Sequence, residues 1–216
     1  VHAALGDRTR LAVVDALALG DASPGELAHA LGIGTNLLAH HLKALESVGL
    51  VHRVRSEADG RRVYLRLQQH VLEGLLPAPQ RAAQRVVFVC THNSARSQLA
   101  TALWRQASAV PVASAGTHPA SRVHPRARRA AQRHGLALGE SRPTHVDDVL
   151  TERDLVVTVC DGAREEMDEL LTARTVPVLH WSVPDPARVD TDAAFENAYA
   201  DVAQRVAAVA PTIHPA

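Results

Sequence analysis

The run Cys90-Thr91-His92-Asn93-Ser94-Ala95-Arg96-Ser97 follows directly on the apolar stretch Val86-Val87-Phe88-Val89. A chain that leaves a buried strand, turns through small polar residues and enters a helix aims successive backbone N–H groups into one concavity. An anion sits there, at the positive helix end. The run therefore predicts a thiol nucleophile, Cys90, on an oxyanion cradle. A thiol at a helix N-terminus beside a guanidinium ionises below its free value of roughly 8.5, so Cys90 is expected as a thiolate. Thr91, His92, Asn93, Ser94, Ala95 and Ser97 are expected to line the substrate site. Arg96 should grip two oxygens of a tetrahedral oxyanion with its planar fork, and Ser97 can donate a hydrogen bond to the sulfur. Asp185, held on a loop by Pro186, is the expected general acid. The bland alternatives are a buried structural cysteine and an ordinary Asp-Pro turn. The strand before Cys90 and the helix-forming 98–104 after it weigh against them.

These groups need a scaffold. Apolar strand candidates at 86–89, 110–114, 155–159 and 175–179 alternate with helical stretches, the pattern of an α/β parallel sheet wrapped by helices. Active sites in such sheets lie at the carboxyl ends of the strands. Cys90 and Cys160 each follow a strand candidate, so both can face one crevice. A buried Cys160 with no redox role is the alternative.

The 216 residues allow two small domains, and charge is balanced at 23 basic against 23 acidic side chains. No global field argues for nucleic acid or membrane, so any such binding must come from local clusters. Apolar runs are too short to span a bilayer and no signal-peptide pattern is visible, which makes a cytoplasmic location the expectation. Two cysteines are too few for a disulfide scaffold and suit thiol chemistry in a reducing compartment. The 13 histidines show no zinc-ligand spacing, so no metal is expected.

Residues 1–76 read as a mainly α domain ending in a hairpin. Leu5, Leu11, Val14 and Leu17 give a helical stripe closed by Gly20, and Ser23-Pro24-Gly25-Glu26 supplies a capping box for a short helix. After the turn Gly32-Ile33-Gly34, Thr35 is expected to cap a longer helix that buries Leu38, Leu42, Leu45 and Val48. Strands at 51–55 and 62–67 around Asp59-Gly60 form a wing. A winged helix-turn-helix predicts DNA binding. Thr35, Asn36, Ala39, His40 and Lys43 would face the major groove, and Arg61 and Arg62 the phosphates or minor groove. A module making only protein contacts is the alternative, and base specificity is not readable from this helix. Residues 77–84, punctuated by Pro77 and Pro79, read as a linker, and 85–216 as the second domain.

Residues 1–76 resemble the winged-helix repressors of the ArsR family through Ala4-Leu5-Gly6-Asp7-Arg8-Thr9-Arg10-Leu11, Glu26-Leu27-Ala28 and His41-Leu42-Lys43-Ala44-Leu45. The resemblance implies a homodimer on operator DNA that an inducer releases. Arsenic-sensing members carry cysteines before the turn, and Asp21-Ala22-Ser23-Pro24 has none. Trivalent arsenic therefore has no soft ligands there.

The second domain resembles the low-molecular-weight tyrosine phosphatase superfamily, and more closely its arsenate reductase branch. The matching stretches are Val87 to Gln98, Ser114-Ala115-Gly116-Thr117, Asp154 to Cys160, and His180-Trp181-Ser182-Val183-Pro184-Asp185-Pro186-Ala187. Phosphatases usually place an aromatic residue after Asp-Pro, where this chain has Ala187, and the strand-terminal Cys160 is a feature of the reductases. The resemblance implies that Cys90 attacks arsenate while Asp185 protonates the departing oxygen, and that Cys160 then attacks the Cys90 sulfur and releases arsenite. Thioredoxin-coupled reductases use a further cysteine, which 161–168 lacks. His92 replaces the usual loop glycine, and Ala95 a frequent cysteine. The external reductant is then either thioredoxin or a low-molecular-weight thiol such as mycothiol or glutathione, with no bound cofactor. The expectation is a fused regulator and arsenate reductase. A phosphatase acting on phosphotyrosine or small esters, and a non-catalytic sensor of arsenate or phosphate, are the alternatives.

Overall fold

A computed structural model describes residues 1–72, 80–138, 142–174 and 176–216. The chain divides into two compact units, 1–79 and 80–216.

In the first unit, α1 (His2–Leu5), α2 (Arg8–Leu19), α3 (Pro24–Leu31) and α4 (Thr35–Ser47) precede an antiparallel hairpin of β1 (Val51–Arg55) and β2 (Val63–Leu67). The α3 capping box forms as the sequence dictates, with Ser23 accepting from the Glu26 amide and the Glu26 carboxylate accepting from the Ser23 amide. Leu38, Leu42 and Leu45 of α4 are buried against Val13, Val14, Leu17 and Leu27, which fixes the opposite face of α4 as the exposed one. One expectation is corrected. Gly34, extended at ψ 148°, is the N-cap of α4, and Thr35 is its first helical residue without a capping hydrogen bond. Glycine is an accepted cap because it leaves the amides open to water.

The second unit contains β3 (Arg81–Ala83), β4 (Arg85–Cys90), α5 (Arg96–Ala107), β5 (Val112–Gly116), α6 (Pro125–Arg133), α7 (Val146–Val149), β6 (Asp154–Thr158), α8 (Asp161–Glu166), α9 (Asp168–Arg174), β7 (Val178–His180), α10 (Pro186–Val189), α11 (Asp192–Val209) and β8 (Ile213–Pro215). The main sheet is parallel in the order β5-β4-β6-β7. The central strands β4 and β6 are buried almost throughout, with the apolar runs Val86-Val87-Phe88-Val89 and Leu155-Val156-Val157. Phe88 packs between Trp104 and Trp181 at ring separations of 5.7 and 5.5 Å. The chain goes from β4 to one neighbour, β5, and returns to the other, β6. The order therefore reverses beside β4, which opens the crevice that such sheets use.

Several boundaries differ from the sequence reading, the strand expected at 175–179 being observed at Val178–His180. Residues 81–83, expected as linker, are a strand paired in parallel with β8, while 77–79 lie outside the described residues. The strand expected at 110–114 begins instead at Val112, after Pro111, which has no amide to give to a ladder.

Candidate active site

Cys90 is the last residue of β4, and the loop after it is held from outside. Carbonyl oxygens of Cys90, Thr91, His92 and Ser94 accept from the amides of Thr117, His118, Ala120 and His124 at 3.3, 2.7, 2.9 and 2.8 Å. With its carbonyls turned to the segment after β5, the loop turns its amides toward the concavity, an anion nest at the N-terminus of the twelve-residue α5. No side chain caps that helix end, so an anion can take the cap's place.

Asn93 sets this curve. It is fully buried and adopts a left-handed φ of 47°, which asparagine tolerates better than most residues. Its Oδ1 accepts from the Thr144 amide at 3.1 Å and from Gln98 Nε2 at 3.2 Å, which identifies Nδ2 as the donor to Ser97 Oγ at 2.8 Å. Ser97 Oγ lies 3.1 Å from Cys90 Sγ and, with the Asn93 amide on one lone pair, keeps its own hydrogen available for a sulfur in the thiolate form. The serine expected from sequence to serve the sulfur is thus held beside it by Asn93, a residue expected only to line the pocket.

Arg96 is 5% exposed. Its Nη1 donates to the Val183 carbonyl at 2.9 Å, and its Nη2 lies 3.1 Å from Asp185 Oδ2. Asp185 caps α10 through Oδ1, which accepts from the Ala187 amide at 3.1 Å. The nucleophile loop and the Asp-Pro loop, about ninety residues apart in sequence, therefore meet at one guanidinium.

Cys160, the N-cap of α8, faces the same place. Its Sγ accepts from the Thr91 amide at 3.3 Å and lies 3.5 Å from Thr91 Oγ1. Both cysteines are free thiols and 2% exposed. Burial pushes the Cys160 thiol above its ordinary value of 9.0 and the nearby Cys90 charge adds to this, while the Arg96 charge, the Thr91 hydroxyl and the Ala163 amide pull it down. Thr91 and Ser94 are half-buried, His92 is exposed at the rim and Ala95 is buried. Exposed Ala187 presents only a methyl beside the acid.

Three contributors had no role in the sequence reading. A Cβ on Gly116 would lie 2.8 Å from the Thr91 carbonyl oxygen and 2.9 Å from the Asn93 nitrogen, so only glycine lets β5 approach the loop. Thr144 and Gln98 hold the Asn93 side chain. A glycine at a strand end beside the site is the one local signal among these. The other two come from chain far from Asn93 or from a helix face that only packing orients.

In the first unit, Thr35, Asn36, Ala39, His40 and Lys43 are all exposed along α4, and Arg61 and Arg62 are exposed at the wing tip. Arg61, with a side chain 93% exposed, pairs with Asp59 at 3.1 Å. Among the described residues no group of three or more His, Cys, Asp and Glu side chains is arranged to hold a metal ion, and no helix is long and apolar enough to cross a membrane.

The sequence pattern of the low molecular weight phosphotyrosine protein phosphatases matches residues 85–215, and that of a helix-turn-helix domain matches residues 5–54. An arsenate reductase of Brevibacillus brevis is 36% identical over 105 residues, 47% of this chain and 76% of the relative. One from Bacillus licheniformis is 30% identical over 135 residues, 59% of this chain and 95% of the relative. The tyrosine phosphatase Wzb of Escherichia coli K30, solved with sulphate, shares the fold at a TM-score of 0.52 and 24% identity, covering 60% of this chain and 97% of that one. With the match spanning 85–215 and so the cradle and the main sheet, the chain belongs to the low molecular weight phosphotyrosine protein phosphatase family of enzymes, carrying a helix-turn-helix domain ahead of the family's own.

Proposed function

We propose that the second unit reduces arsenate to arsenite and that the first binds operator DNA as a homodimer, making the chain a regulator of the ArsR kind fused to its enzyme. The observation that carries the reductase reading is the second thiol: Cys160 Sγ lies against the Thr91 amide, the peptide group that directly follows the nucleophile. A phosphatase has no use for that group. The named arsenate reductases among the relatives support the same reading.

In the mechanism, Cys90 attacks arsenic, Asp185 gives a proton to the departing oxygen, and Arg96 with the loop amides holds the oxyanion. Arriving oxyanion competes with Asp185 for Nη2, while the Val183 carbonyl keeps Nη1 in place. Cys160 then attacks the Cys90 sulfur. The sulfur–arsenic bond pair leaves with arsenic, which becomes trivalent, and a Cys90–Cys160 disulfide remains for thioredoxin or a small thiol to reduce. The test is one turnover of reduced protein with arsenate and no external thiol. About one arsenite per chain, lost in Cys160→Ser, supports the mechanism. No arsenite removes Cys160 from it.

Hydrolysis of phosphate esters is the second reading, favoured by Cys90, Arg96 and Asp185 being all that reaction needs. It predicts aryl phosphate turnover that survives Cys160→Ser and needs no thiol.

For DNA binding, the support is the exposed row on α4, with Asn36, His40 and Lys43 spaced along one helix face, beside exposed wing arginines. Binding that weakens steeply with salt and is lost on Lys43→Ala with Arg61→Ala tests it.

A further inference from the structure

Only two cysteines exist in this chain, and the helix-turn-helix unit holds neither. A soft trivalent arsenic centre selects thiolates over the oxygen and nitrogen donors that the first unit offers. In the second unit both cysteines lie at the carboxyl ends of neighbouring strands, Cys90 ending β4 and Cys160 following β6. Cys160 Sγ accepts from the amide that follows Cys90, a single peptide group away, and feels the Cys90 charge directly. Both are reduced and 2% exposed.

We propose that the reduced Cys90 and Cys160 pair is itself a binding site for trivalent arsenic, taken up as a dithiolate chelate in the second unit. The proposal builds on the reductase reading, which names trivalent arsenic as the product. The binding step involves no electron transfer: arsenous acid and two thiols give a bis-thiolate arsenic hydroxide and two waters, and arsenic stays trivalent. Two As–S bonds replace two As–O bonds, and each thiol proton leaves with an arsenic hydroxyl as water. The remaining hydroxide points into the amide cradle, where an anionic oxygen is favoured. The Thr91 amide at 3.3 Å and hydroxyl at 3.5 Å, already on Cys160 Sγ, orient the second sulfur for the chelate as its proton leaves. Product bound this way occupies the nucleophile, so the site also makes arsenite an inhibitor competitive with arsenate.

The test is titration of the full reduced chain, free of oxygen and added thiols, with phenylarsine oxide and with arsenite, read by calorimetry and by counting free thiols. One arsenical per chain with both thiols lost is expected. Cys160→Ser and Cys160→Ala should each weaken binding at least about 100-fold, the loss of a second tethered donor. Inorganic phosphate binding, which needs only the cradle and Arg96, should persist in both variants and shows that they fold. A thiol still reactive at saturation, or a folded Cys160 variant that binds as tightly as the parent, overturns the site. Arsenate turnover without arsenite binding overturns this proposal and leaves the reductase reading. Arsenite binding without turnover does the reverse.

Discussion

Arg96 Nη2 and Asp185 Oδ2 lie 3.1 Å apart in the crevice, while the other arginine nitrogen is fixed on the Val183 carbonyl. The pair places the expected anion clamp and the expected acid at a single point, and ties each to a separate loop. Arg96→Lys keeps a charge but loses the planar fork that spans both partners. Turnover is expected to fall about 10²- to 10³-fold, the usual loss when an oxyanion donor is removed. Steady-state kinetics with arsenate and with an aryl phosphate check it. An unchanged rate with both removes Arg96 from the chemistry.

Gly116→Ala forces a methyl to within 3 Å of two backbone atoms of the loop. Neither atom belongs to a flexible side chain, so the strand or the loop must shift, at about 1–3 kcal/mol. A shift there displaces the cradle amides themselves, so activity is expected to fall further than thermal stability. Paired melting curves and kinetics distinguish that from simple destabilisation.

Cys160 carries a pH signature. Its thiol is held above 9.0 by burial, so below that value the attacking thiolate is the minor form. Release of arsenite in a single turnover should therefore accelerate with rising pH through the neutral range and up to pH 9 without levelling. Stopped-flow release measured from pH 6 to 9 tests it, and a plateau below pH 8 contradicts the assignment.

Asp154 begins β6 and is 2% exposed. Burial raises its carboxyl, but the Arg85 fork at 2.7 Å to each oxygen and the Thr151 amide and hydroxyl outweigh that and leave it below its ordinary 3.8. The depressed value means that its stabilising contribution is present above the unfolded value of 3.8 and is lost as pH falls through the folded one. Arg85→Gln, which leaves the carboxylate without its cation, should cost about 3 kcal/mol at pH 7, the low end of the range because Arg85 is 32% exposed. That deficit should shrink in urea melts as pH drops below 4. A deficit independent of pH argues against the ion pair.

At the wing tip, Asp59 pairs with Arg61 at 3.1 Å and would compete with a phosphate for it. Asp59→Asn removes a negative charge from this side of the hairpin and is expected to tighten DNA binding, most at low salt. Fluorescence anisotropy across a salt series measures it, and weaker binding at every salt concentration contradicts the wing contact.

The sequence by itself determined what is local or periodic. The capping box at Ser23 formed as read, the apolar run before Cys90 became a central strand, and an arginine six residues after that cysteine meets the Asp-Pro pair that the sequence singled out. Local rules missed the edges. Thr35 yielded the cap to Gly34, and residues 81–83 joined β8 because strand pairing depends on a partner 132 positions away. Tertiary structure alone decided the roles that need convergence. Asn93 points at Ser97 because Thr144 and Gln98 hold it, Gly116 is required because a loop passes over it, and Cys160 reaches Thr91 because β4 and β6 are neighbours. Hydrogen-bond direction and close approach are properties of several segments at once. A sequence can specify the residue types for them, but only the packed sheet brings those residues into contact with one another.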